Sequence, residues 1–141
     1  MNRPATLIEV AQRRNNGEEF EMLVAEFLDT FYGALKRDPI AATSCITGEP
    51  APIPDANQHA LLGAIGEHLA RRWNLAIPNW TSDPSRFLSL PYFTTDLDGF
   101  KAMMIAQSPL AFRRRLIFTE AEPLSRARMP RGPLESAIVN S

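Results

Sequence analysis

Apolar residues recur every three or four positions through Phe20, Leu23, Val24, Phe27, Leu28, Phe31, Ala34 and Leu35. At about 100° per residue they occupy one arc of a helix. Glu18, Glu21, Glu26, Asp29 and Lys36 fall on the opposite side. They read as a solvated face rather than a metal bundle, because di-iron bundles turn their carboxylates and a Glu-x-x-His motif inward. The spacing predicts a helix from about Gly17 to Arg37, stopped by Pro39. A shorter helix over Leu7 to Arg14 precedes it, headed by Thr6 and Glu9 in the spacing of a capping box. Asn16 and Glu19 repeat that signal ahead of the second helix. A third helix is predicted from an Asp55 cap to about Trp73, with Leu61, Leu62, Ile65, Leu69 and Trp73 as its stripe. Its other side carries Ala60, Gly63, Gly66 and Ala70. Each mid-helix glycine costs about 1 kcal/mol relative to alanine, so this side implies a close neighbour. The expectation is a second helix against it, making this the central, most buried helix.

The remaining segments are punctuated by proline. Residues 38–54, with Pro39, Pro50, Pro52, Pro54 and Gly48, read as a connector without regular hydrogen bonding. Residues 74–95 are broken by Pro78, Pro84 and Pro91, yet hold Leu75, Ile77, Trp80, Phe87, Leu88, Leu90, Tyr92 and Phe93. Such a loop is expected to be pinned across the helices. A fourth helix is predicted over Leu97 to Gln107, with Asp96 as cap and Phe100, Met103 and Met104 available to the core. Ser108 and Pro109 read as a cap and a first helical residue opening a short helix through Arg115. Leu116-Ile117-Phe118 reads as extended, and Thr119 to Ala127 as a last short helix despite Pro123. The expected fold is all-α: a compact bundle of about five helices with a long proline-rich, aromatic-rich loop packed on it. Residues 1–127 form a single helical domain and residues 128–141 a flexible C-terminal tail.

Composition narrows the class. A chain of 141 residues, 45% hydrophobic and 22% charged, fits one ordinary globular domain. Cys45 is its single cysteine, so no intrachain disulfide forms, which fits a reducing compartment. The first ten residues lack the apolar run of a signal peptide, and no stretch is apolar enough to span a membrane. The expectation is a cytoplasmic protein with no membrane contact. Charge is uneven: residues 1–100 hold 8 Lys/Arg against 13 Asp/Glu, whereas residues 101–141 hold 7 against 3. Either the two ends fold against each other, or the basic end meets an anionic partner.

Catalytic chemistry finds little footing. His59 and His68 are nine residues apart on one helix, about half a turn out of phase, so they cannot share a metal. Glu67 precedes His68 but makes no His-Glu-x-x-His. Cys45 has no basic residue near it in sequence to lower its pKa. Glycine-rich phosphate loops are absent. No metal, no cofactor and no catalytic residue is expected. Trp73, Trp80, Phe87, Tyr92 and Phe93 could stack bases, but in a proline-rich segment such rings more often weld it to the core. Arg113, Arg114 and Arg115 fan over about 200° of a helix. Arg115 borders the apolar face of Phe112 and Leu116 and is the candidate for a structural salt bridge. Arg113 and Arg114 point away and, with Arg126, Arg128 and Arg131, form a candidate cationic surface. The helices around Ser108-Pro109 imitate helix-turn-helix, but the second is short for a recognition helix.

Several runs together resemble a known family. They are Asn79-Trp80, Arg86-Phe87-Leu88, Pro91-Tyr92-Phe93, the stretch from Ser108 to Phe118, and Leu124 to Ala127, with looser likeness over Glu26 to Tyr32 and Glu67 to Ala70. The pattern is similar to a family of small uncharacterised bacterial helical proteins that look like antitoxin-like companions of nucleotidyltransferase-type proteins. The resemblance implies a partner protein and carries over no catalytic residue. The expected function is therefore that of a non-catalytic protein-binding partner. Its candidate interface is Pro91, Tyr92 and Phe93 with Arg113 and Arg114. The alternative is a nucleic-acid-binding regulator using the C-terminal arginines. A homo-oligomer is a further option, because a second apolar helix face serves a dimer as well as a core.

Overall fold

The computed structural model describes residues 2–95 and 98–130. The fold is mostly helical, and its helices begin where side chains can satisfy free backbone N–H groups. Helix α1 spans Leu7–Asn15; the Thr6 hydroxyl accepts from Glu9 N–H and the Glu9 carboxylate from Ala5 N–H, a reciprocal pair closing the first turn. Helix α2 spans Phe20–Arg37. It starts three residues later than predicted, because Gly17 adopts a positive φ and Glu19, in the cap position, is extended. Residues 38–54 are more regular than their prolines suggest, forming two one-turn helices, α3 (Pro39–Ala42) and α4 (Ser44–Thr47). The Asp38 carboxylate caps α3 and Pro39 takes its first position, where a missing N–H costs nothing.

Helix α5, Ala56–Arg72, is capped by Asp55 through Gln58 N–H and lies at the centre of the molecule. Helix α7 (Leu110–Arg113) packs against α5, as a close neighbouring helix was expected to, but it does not fill the glycine notches of the small side by itself. Side chains from two 3₁₀ turns, Asn79–Ser82 and Pro84–Arg86, fill them, together with Arg115 at the end of α7. A Cβ placed on Gly63 would sit 3.0 Å from the Arg86 Cβ, and one on Gly66 would sit 3.0 Å from the Trp80 indole. The glycines are notches for an arginine and a tryptophan. Trp80 is 8% exposed and donates its indole N–H to Ile46 O at 3.0 Å, tying the loop to α4. The buried Arg86 guanidinium stacks over that indole and donates to Pro50 O and His59 O.

Beyond Leu90 the chain forms strand β1 (Tyr92–Phe93), a 3₁₀ turn (Asp98–Phe100), helix α6 (Lys101–Gln107), helix α7 (Leu110–Arg113) and strand β2 (Ile117–Phe118). The predicted Asp96 cap lies outside the described residues. Helix α6 commits only Met104 to the core; Phe100, Met103 and Ile105 are exposed. Pro109 occupies the cap position of α7, not its first turn, and the Ser108 hydroxyl serves a distant backbone instead, accepting from Thr119 N–H. Leu116 takes a left-handed φ of 63°, which turns the chain out of α7 and into β2. No helix forms over Thr119–Ala127, where Pro123 denies a central hydrogen bond and the chain runs through turns. Of the residues expected in the flexible tail, Met129 packs on the core and Pro130 is buried, while Arg131 and the rest lie outside the described residues.

Candidate interaction surface

The surface is built outward from a buried carboxylate. Glu67, on the small side of α5, is 2% exposed. Arg115, 0% exposed, donates from Nη1 to Glu67 Oε1 at 2.6 Å and to Ala111 O at 2.7 Å, and from Nη2 to Thr81 O at 2.6 Å. Its Nε faces Gly63 and makes no hydrogen bond. One ion pair therefore fastens α5 to the end of α7 and to the first 3₁₀ turn. Arg71 Nε donates to Glu67 Oε2 at 2.7 Å, and Arg114 Nη1 lies 3.6 Å from the same oxygen. Burial pushes the Glu67 carboxyl up, but hydrogen bonds from Arg115 and Arg71 and the added charge of Arg114 outweigh it and hold it below the usual range. The Phe87 ring lies under both Arg114 and Arg115, at 5.1 and 4.4 Å from their guanidinium carbons.

The two candidate interface segments are neighbours. Strands β1 and β2 pair in parallel, Tyr92 opposite Ile117 and Phe93 opposite Phe118. Tyr92 N–H donates to Leu116 O and Thr94 N–H to Phe118 O, so the Phe93 N–H and C=O point away from β2. Pro91-Tyr92-Phe93 thus runs beside the segment that emerges from Arg113-Arg114-Arg115. Pro91 and Leu90 are exposed, whereas Tyr92 and Phe93 are half-buried, with Phe93 stacked on Phe118. Arg113 is exposed and donates to Ser108 O at 3.2 Å. A groove of about 350 Å³ opens below Tyr92, walled by Phe20, Val24, Leu61 and Phe112 with Glu21 and Glu120 on its margin.

Other candidates are dispersed or engaged. Arg126 is clamped by Asp29 through two hydrogen bonds of 3.0 and 2.9 Å, joining the basic end to the acidic front of the chain. Arg72 stacks on Trp73 and lies 3.7 Å from Glu122. His59 accepts from Ile53 N–H and contacts the Ser85 hydroxyl through its other nitrogen. Cys45 is buried, which pushes its thiol up and away from the nucleophilic form. Among the described residues no three His, Cys, Asp or Glu side chains gather to hold a metal, and no helix is long and apolar enough to cross a membrane. Trp73 and Trp80 are buried, unlike stacking platforms for bases. Comparison with protein-family models, curated proteins and solved structures finds no match.

His68 sits at the core margin, edge-on to Phe112. Burial, aided by Arg72, lowers its pKa to about 4 despite Glu67 beside it in sequence. The unfolded state therefore binds this proton more readily, so His68 favours folding at neutral pH and that contribution fades as pH falls from about 6.5 towards 4. The expected loss is roughly 3 kcal/mol over that interval. Urea unfolding at pH 7 and pH 4.5 checks it: His68→Phe should show a clearly smaller acid sensitivity than the wild type, and an equal sensitivity would assign the effect to other groups.

Proposed function

We propose that this chain is a non-catalytic partner of another protein, the antitoxin-like half of a cytoplasmic pair with a nucleotidyltransferase-type protein. The observation that carries the binding reading is the juxtaposition of β1 with the arginine segment. It combines an exposed Leu90-Pro91 shoulder, an outward strand edge and the exposed guanidinium groups of Arg113 and Arg114. The pairing with a nucleotidyltransferase-type protein rests on the sequence resemblance. A nucleic-acid track is less well supported, because Arg115 is buried and Arg126 is committed to Asp29; duplex binding draws on several phosphate-spaced cations.

The test is a paired substitution chosen to spare the fold. Arg113 takes glutamate; Arg114, close to Glu67, takes glutamine so that no second carboxylate is set beside the first. Affinity for the partner captured by the wild-type protein is expected to fall at least tenfold, with the thermal midpoint shifted by no more than about 4 °C. Unchanged affinity would remove both arginines from the interface.

A further inference from the structure

The ion cluster on α5 is unbalanced. Three guanidinium groups converge on Glu67, and the most buried of them, Arg115, takes one of its oxygens. Arg71 and Arg114 share the other, and because they reach it at 2.7 and 3.6 Å their nitrogens lie within about 6 Å of each other. Their side chains are 42% and 39% exposed, and no other described carboxylate lies within 4 Å of either. We infer that the gap between Arg71 and Arg114 receives a carboxylate from an acidic, extended segment of the partner protein. The inference rests on the protein-binding reading and names the chemistry of what binds. Two oxygens of one carboxylate can bridge two guanidinium groups at this separation.

The surroundings favour a protein segment over a phosphate backbone. At this surface Arg71 and Arg114 meet at a single carboxylate, with the exposed Arg113 next in the chain, which makes one spot rather than a track. Next to that spot the surface turns apolar, with Phe87 beneath Arg114 and Leu90 and Pro91 leading into the outward edge of β1. An extended chain alternating acidic and β-branched residues would offer charge to the arginines and backbone to the Phe93 edge.

The experiment uses the full chain with labelled arginine side chains. The Nε–Hε resonances of Arg71 and Arg114 are followed while acetyl-Glu-Val-Glu-Val-Glu-Val-amide, its Gln-for-Glu counterpart and a 16-base-pair duplex are added separately. Saturable shifts at both arginines with the Glu peptide, at least tenfold weaker with the Gln peptide, are expected. No shift at either arginine, or saturation by duplex at lower concentration than by Glu peptide, would overturn the inference. A second arm separates it from the reading beneath it. If a captured partner binds Arg71→Gln as tightly as wild type and is indifferent to salt, the carboxylate site is wrong while protein binding stands. If no protein is captured at all, the underlying reading fails as well.

Discussion

Replacing Glu67 by alanine is expected to remove about 3–5 kcal/mol of stability, the usual effect of deleting one partner of a buried ion pair. The reason is the partner left behind. Arg115 is 0% exposed and cannot swing to water without giving up its bonds to Ala111 O and Thr81 O. Arg71 and Arg114 would then repel it with no carboxylate between them. A domain of this size holds about 5–15 kcal/mol in total, so the thermal midpoint should fall by roughly 10 °C or more. Urea unfolding of Glu67→Ala beside a Glu67→Leu, Arg115→Met double variant separates lost pairing from lost packing. The double variant should recover most of the loss, since well-packed apolar replacements of buried pairs are often neutral. A loss under 1 kcal/mol for Glu67→Ala would mean that Arg115 finds solvent or another acceptor.

Trp80→Ala carries an effect of similar size for a different reason. The indole fills the notch that Gly66 leaves in α5, covers Arg86 at 4.7 Å and holds Ile46 O. Truncating a buried tryptophan typically costs about 3–5 kcal/mol, set by how little the cavity collapses. Here α5, α4 and the 3₁₀ turn would all have to move, so the upper part of that range is expected. Trp80→Phe keeps much of the ring and loses the hydrogen bond, for roughly 1–2 kcal/mol. Equal losses for the two variants would show that the bond, not the filled notch, holds the loop down.

These two sites also mark where sequence reasoning stopped. The stripe of α2, the Thr6 and Asp55 caps and the anchoring of the aromatic loop are local patterns of spacing and side-chain type, and they were legible. The neighbour of the small side of α5 was not, because nothing local distinguishes a notch for a helix from one for Trp80 and Arg86. Glu67 was read only as the residue before His68; its buried partner, Arg115, is 48 positions away. One signal was present: Glu67 is flanked along its face by Gly63 and Ala70, and a carboxylate among small residues on a central helix needs a buried cation. Tyr32 was missed similarly. It lies beside the main stripe of α2, and only the tertiary fold brings its hydroxyl to Leu124 O. The interface segments were chosen separately, and their pairing as β1 and β2 needed non-local backbone bonds that two-residue strands do not announce.

The most direct test of the binding surface is a photo-crosslinking residue placed at Leu90, 76% exposed at the shoulder of β1, in cells of the source organism. Ile40, 83% exposed on α3 against α2, serves as the control position. A single protein adduct of defined mass from position 90 and none from position 40, unchanged by nuclease, is the predicted result. Adducts to nucleic acid alone, or the same protein from both positions, would contradict an interface at the β1–arginine surface.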